Sequence, residues 1–239
     1  MVSDTSRHVA RVVPDVTGLD KEFDYLIPPD LDAPVEVGTI VRVELHGRRI
    51  GGWVRSISPP DSTEQRTLKP IAKVTGRGPA AEIFELADWA AVRWAARRMR
   101  PFLVAAGPGR AVRTLPLDRR TGMAPSPRSP ATTALLDSGG GVLRLPPRTD
   151  VMPSVLSVAA MGPALVIVPQ HSEATLLAAR LRRAGLTVAS IPGEWANAAG
   201  GVDVVIGTRS AAWAPCPGIA AALVVDEHDE ALQLSLIHI

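Results

Sequence analysis

The sequence predicts a multidomain chain: a small all-β, barrel-like N-terminal part, a helical middle, and a C-terminal α/β part with a parallel sheet. Three observations carry that class. Residues 7–76 hold short runs rich in Val and Ile, cut by Pro, Gly and Asp. Residues 83–94 change to apolar positions spaced by four, three and four. From Val142 onward, apolar runs alternate with helical segments. At 239 residues the chain is long enough for one large or two small domains, each with a core.

In the first part, Val9–Val13, Thr39–Leu45 and Ile50–Ile57 read as strands. Thr39, Val41, Val43 and Leu45 alternate with Ile40, Arg42 and Glu44, as a strand with one face on a small barrel's core requires. His46-Gly47-Arg48-Arg49 is a short loop between two of these strands, and Gly47 lets a ligand approach the backbone there. After Arg77-Gly78-Pro79, the residues Ile83, Ala87, Ala90 and Trp94 mark one face of a helix that Pro101 stops. Arg93, Arg97, Arg98 and Arg100 crowd its C-terminal end. Two causes fit that cluster: the helix dipole favours cations there, and DNA phosphate would too. Residues 116–140, with four Pro and a closing Gly139-Gly140-Gly141, read as an irregular linker. The third part then runs Val142–Leu145, Ala164–Val168, a helix over Ser172–Ala184 with Ser172 as N-cap, Thr187–Ile191, Val202–Ile206 and Ala221–Val225. Uninterrupted apolar strands of this kind are buried on both faces.

Composition narrows the function. The single cysteine, Cys216, excludes an internal disulfide or a multi-thiolate zinc cage in this chain, and suits a reducing cytoplasm. No apolar stretch spans a membrane, and residues 1–20 lack a signal-peptide pattern. Of 26 basic residues only three are Lys, which explains a pI near 9.1 at a formal charge of only +2. The charge is uneven: residues 1–120 carry 19 basic and 15 acidic side chains, residues 121–239 carry 7 and 9. The excess lies in residues 77–120, with 9 basic against 4 acidic, a surface for phosphate or a solvated helix face.

Particular motifs go further. Val9-Ala10-Arg11-Val12, Phe23-Asp24-Tyr25-Leu26-Ile27-Pro28 and Val37-Gly38-Thr39-Ile40-Val41-Arg42-Val43, followed by the Gly-basic loop, resemble the opening of the primosomal replication-restart helicase family, PriA. Gly207-Thr208-Arg209-Ser210-Ala211 and Asp226-Glu227-His228-Asp229 resemble that family's GTRSA and acidic ATPase motifs. The resemblance spans about residues 7–232 and is weak between about 115 and 160.

The resemblance implies a pocket in residues 1–78 for the 3′ end of a nascent DNA strand. Asp24 would accept the terminal hydroxyl's hydrogen bond, Phe23 and Tyr25 would shape the base site or stack there, Gly47 would admit the backbone, and Lys69 would face phosphate. Residues 79–130 would be a winged-helix-like domain with its linker, and 131–239 a partial RecA-like helicase lobe. Arg97, Arg98, Gly207, Thr208 and Arg209 would lie against DNA backbone. The implied partners are forked or single-stranded DNA with a 3′ end, other primosome proteins and single-strand-binding protein, with no membrane, in the cytoplasm at the nucleoid.

The chain departs from the family at its nucleotide site. A phosphate loop needs Gly amides, a Lys and a hydroxyl after its first strand. Here Pro146-Pro147-Arg148-Thr149-Asp150-Val151-Met152-Pro153 supplies neither Gly nor Lys, and its prolines remove amide donors. Asp226, Glu227 and His228 then form a degenerate acidic motif with no assigned catalytic role and no metal. The family uses ATP, magnesium and structural zinc; no cofactor is expected in this chain, which lacks the zinc region and the second lobe. The tail from about residue 234 reads as non-native. The leading reading is a DNA-binding replication-restart protein, without helicase activity of its own, that recognises forks and the nascent 3′ end. An ATP-dependent 3′ to 5′ helicase of the same family and a primosome scaffold acting through protein contacts stay open.

Overall fold

A computed structural model describes residues 8–59, 68–94, 96 and 98–233. The chain divides into two compact units, Met1–Thr114 and Leu115–Ile239. No helix among the described residues is long and apolar enough to cross a membrane.

The first unit is built on five antiparallel strands, β1 (Val9–Pro14), β2 (Phe23–Leu26), β3 (Thr39–Leu45), β4 (Arg48–Ser58) and β5 (Lys73–Arg77), in the order β2-β1-β4-β3-β5. Strand β3 has the predicted bounds and alternation: Val41 and Val43 are buried, Arg42 and Glu44 exposed. The predicted four-residue loop before β4 shortens to His46-Gly47. Both residues have positive φ, 48° and 78°, as the two-residue turn that matches strand twist requires. Ala10, Val12, Tyr25, Val41, Val43, Val54, Ile71 and Val74 form the core. Residues just before β5 join the sheet's two edges, because Leu26 N–H donates to Lys69 O, Ile71 N–H to Leu26 O and Ala72 N–H to Arg42 O. One bridge, Leu26 to Pro70, thus links the two edges. At Gly52 a Cβ would lie 2.5 Å from Val12 Cγ1 and 2.9 Å from Val13 O, so glycine allows β4 to run tight against β1 beside its bulge.

Two helices follow, α1 (Ala81–Arg93) and α2 (Arg100–Ala106). Ile83, Phe84, Ala87 and Ala90 are α1's buried face, but Trp94, expected on that face, caps the helix and is exposed. Pro101 does not stop α1; it occupies the first turn of α2, where a missing N–H costs nothing. Arg55 on β4 pairs with Asp88 of α1 at 2.6 Å, and Arg100 of α2 pairs with Asp15 at 2.8 Å. Both helices are thereby tied to the outer surface of the sheet.

The second unit comprises α3 (Pro130–Asp137), α4 (Met152–Ala159), β6 (Ala164–Ile167), α5 (His171–Arg183), β7 (Val188–Ser190), α6 (Trp195–Gly200), β8 (Val204–Gly207), a 3₁₀ turn (Arg209–Trp213) and β9 (Ala221–Val224). Its sheet is parallel, in the order β7-β8-β6-β9. Val204 and Ile206 point into one apolar cluster and Val205 into another, so β8 is buried on both faces, as its unbroken apolar run predicts.

Three expectations fail in this unit. Val142–Leu145 is not a strand: Val142 is 84% exposed, and the four-residue run lies between three glycines and two prolines, with Arg144 interrupting it. The supposed linker contains α3, with Ser129 as N-cap accepting from Thr132 N–H and Pro130 in the first turn. The same stretch is pinned further back, where Thr121 donates its N–H and hydroxyl to the buried Asp203 at 2.9 and 3.0 Å. Finally, α5 begins one residue early, with Gln170 as N-cap and Glu173 reaching back to its N–H, so Ser172 lies inside the helix.

Candidate nucleic-acid interface

The two-residue period of β2 decides where the predicted pocket residues lie. Phe23 and Tyr25 turn toward the core and Asp24 toward the outside. Tyr25 is 4% exposed, and its hydroxyl donates to Glu44 O at 3.2 Å. Burial, and then the Glu44 carboxylate, push its phenol up. A base cannot stack on so enclosed a ring; Tyr25 acts by anchoring β2. Phe23 is half-buried against the same core.

Asp24 stands opposite Arg11 in the β1–β2 ladder. The guanidinium grips the carboxylate with two hydrogen bonds, Nε to Oδ1 at 2.9 Å and Nη2 to Oδ2 at 3.1 Å. Each carboxylate oxygen can accept more than one bond, so this grip orients Asp24 and leaves it able to accept another donor. Sequence reasoning missed Arg11. The available signal was a lone cation within the apolar run Val9–Val13, one strand from an acidic residue.

Asp24 lines a cleft of about 470 Å³ on the outer surface of the sheet, beside α1 and α2. Arg11, Lys21, Glu22, Arg55, Asp88, Arg98 and Arg100 also line it. Arg55 bridges Glu22 and Asp88, which neutralises two of the acids. Arg98, predicted to meet DNA backbone, is therefore on the same wall system as Asp24. Its neighbour Arg97 lies outside the described residues.

Lys69 and Gly47 do not line this cleft. Lys69 pairs with Glu44 at 2.7 Å, and the Lys69 hydrogen bond and charge hold the Glu44 carboxyl below its ordinary value. Gly47 forms the β3–β4 turn, with open space where a Cβ would be.

In the second unit, Gly207 is buried, and a Cβ there would meet Ala211 Cβ at 2.9 Å and Ile191 O at 3.1 Å. It packs the end of β8 and offers no surface to a phosphate. Thr208 is half-buried and Arg209 exposed, with Arg209 Nη1 donating to Gln233 O at 3.0 Å. Gln233 in turn donates to Glu227 O, so GTRSA and the acidic motif are joined through residue 233. Asp226, Glu227 and His228 are exposed beyond the edge strand β9, with Asp226 at φ 47°.

The residues that would face a triphosphate do not fit one. Asp150 is held by Arg180 of α5 through two hydrogen bonds, at 2.8 and 2.6 Å, and accepts from Met152 N–H at the start of α4. Those bonds, Arg180's first, hold its carboxyl below the ordinary range. Thr149 turns its N–H and hydroxyl back to Pro146 O. The segment is thus closed on itself, with a negative charge and two prolines where amide donors are needed.

Comparisons with known proteins point to the same unit. Residues 11–105 match the family model of the PriA 3′ DNA-binding domain, from β1 through most of α2. Over that stretch the chain is similar to the PriA family. Proteins named "Probable replication restart protein PriA" from Mycobacterium tuberculosis strain H37Rv and from Mycobacterium bovis are each 35% identical to this chain over 85 residues. The match covers 35% of this chain and 13% of each relative, so the aligned part is about an eighth of those proteins.

Proposed function

We propose that this chain is a DNA-binding protein of replication restart whose first unit receives the free 3′ end of a strand, without a nucleotide-driven step in the second. The observation that carries the reading is Asp24: within a stretch matching a 3′ DNA-binding domain, its carboxylate is oriented by Arg11 on the wall of a cleft. A carboxylate accepting the O3′–H bond distinguishes an end from a continuing strand, because a continuing strand has no such donor. Phe23 and Tyr25 support this by fixing β2 from the core side, and Lys69 offers a cation to phosphate further along the strand. Residues 146–153, which the resemblance aligns with the phosphate loop, hold Asp150 against Arg180 and carry prolines in place of amide donors, and this favours a structural second unit over the motor reading.

The test is fluorescence-anisotropy binding of the full chain to forks that differ only in a 3′ hydroxyl or a 3′ phosphate. A hydrogen bond to a charged group corresponds to a preference of about tenfold or more for the hydroxyl. Asp24→Ala removes the preference. Equal binding of both forks by the unaltered protein overturns the reading.

A further inference from the structure

We propose that Arg98 holds the phosphate on the 5′ side of the bound 3′-terminal nucleotide, within the cleft that Asp24 lines. This rests on the reading of that cleft as the seat of a strand end. Four observations lead to it. Arg98 lines the cleft, and its Nε is shut off from solvent yet donates to no acceptor among the described residues. An enclosed guanidinium N–H without an acceptor is unfavourable unless a ligand supplies one. Three of the four acids that line the cleft are already matched, since Arg11 holds Asp24 and Arg55 holds both Glu22 and Asp88; the fourth is Asp20. The lining carries five cations, Arg11, Lys21, Arg55, Arg98 and Arg100, against these four acids, so an incoming anion meets a net positive wall with Arg98 still lacking an acceptor at Nε. The volume, about 470 Å³, lies within the range of small-ligand sites, roughly 300–1,000 Å³, which suits one nucleotide.

The chemistry matches as well. A phosphodiester presents oxygen acceptors in the geometry that a guanidinium fork binds with two parallel bonds. Asp24 and Arg98 then divide the work on a single nucleotide. Asp24 senses the hydroxyl that marks the end, and Arg98 fixes the charge one linkage back, which sets how far the end enters.

The experiment uses the full chain and 5′-labelled single strands with a 3′ hydroxyl, in which one phosphate is replaced by an uncharged methylphosphonate, either at the terminal linkage or six linkages inward. The terminal replacement weakens binding about tenfold more than the inner one, the effect of a charge-assisted contact. In Arg98→Gln the unmodified strand binds about tenfold more weakly and the terminal replacement costs nothing further. Arg98→Lys, which keeps the charge without the fork, gives an intermediate loss and keeps the assay readable where Gln disturbs folding. The assignment is overturned by Arg98→Gln retaining the full cost of the terminal replacement, or by wild-type protein treating the two positions alike. Displacement of the strand by inorganic phosphate without sensitivity to the terminal linkage makes this a free-anion site and overturns it too. Failure of the underlying reading looks different: binding is then indifferent to a 3′ hydroxyl against a 3′ phosphate. A preserved hydroxyl preference with unchanged linkage sensitivity in Arg98→Gln removes only Arg98.

Discussion

Asp203 organises the start of the second unit, and its replacement has a predictable cost. The side chain accepts four hydrogen bonds: Thr121 N–H to Oδ1, and the Thr121 hydroxyl, Thr187 N–H and Thr187 hydroxyl to Oδ2, at 2.8–3.0 Å. Asp203 itself is 8% exposed. In Asp203→Ala the hydroxyls can turn to other partners, but the two backbone N–H groups cannot. At about 1–3 kcal/mol for each stranded donor, the loss is about 3 kcal/mol. Asp203→Asn keeps one acceptor oxygen, which serves the three donors at the Oδ2 position, and opposes only Thr121 N–H; its cost is about 1–2 kcal/mol.

The same group gives a pH signature. Burial pushes the Asp203 carboxyl up, but the hydrogen bonds from Thr187 and Thr121 outweigh it and hold the group below the ordinary carboxylate range. A lowered value in the folded state means that this stabilisation is fully present above the unfolded value of about 3.9 and is lost as pH falls through the folded value. Native-state hydrogen exchange across β7 and β8 at pH 7 and in the acid range reads both effects. The wild-type protein loses protection in acid more steeply than Asp203→Asn does. An Ala variant within about 0.5 kcal/mol of wild type at pH 7 would refute the account, since surface changes without a mechanism fall in that range.

Two further outcomes test the two units separately. Gly52→Ala forces a Cβ against Val12 and the Val13 carbonyl and destabilises the five-stranded unit by about 1–3 kcal/mol, measured by urea denaturation followed through Trp53 fluorescence. Asp150→Ala removes the acceptor of Met152 N–H at the start of α4 and the partner of Arg180; because the pair is partly solvated, the loss is about 1 kcal/mol, read as lower protection in α4, and DNA binding by the first unit is unchanged.

What was legible in the sequence follows from how local each signal is. Strand β3 was readable to the residue because a buried face and a solvent face alternate along Thr39–Leu45. The parallel strands β6 to β9 were readable within about two residues, because their runs stay apolar throughout, although β9 at the sheet edge leaves Ala222 and Val224 exposed. Val142–Leu145 has the same local composition, but a strand needs a partner, and that is a tertiary property. The Pro-rich stretch misled for the opposite reason: Ser129-Pro130 is a helix start, and Thr121 is fixed by Asp203, 82 positions away. The candidate site divides likewise. Asp24 came from its motif, whereas the cleft around it is assembled from residues 11, 13, 19–22, 24, 55, 88, 91 and 98–100, which no linear pattern groups. Tyr25 and Gly207 carry the resemblance, yet the two-residue period of β2 and the packing of β8 turn both inward.

Recognition of a strand end by Asp24 is the central claim, and the most direct measurement compares strands ending in a 3′ hydroxyl and in a 3′-deoxy sugar, which removes the donor without adding charge. Affinity of the full chain for both falls as salt rises, because phosphate contacts release counterions. The ratio between them, about tenfold or more, holds across the salt series in the wild-type protein and collapses to one in Asp24→Ala. A wild-type ratio of one at every salt concentration would contradict the claim and leave only a basic surface that binds any strand.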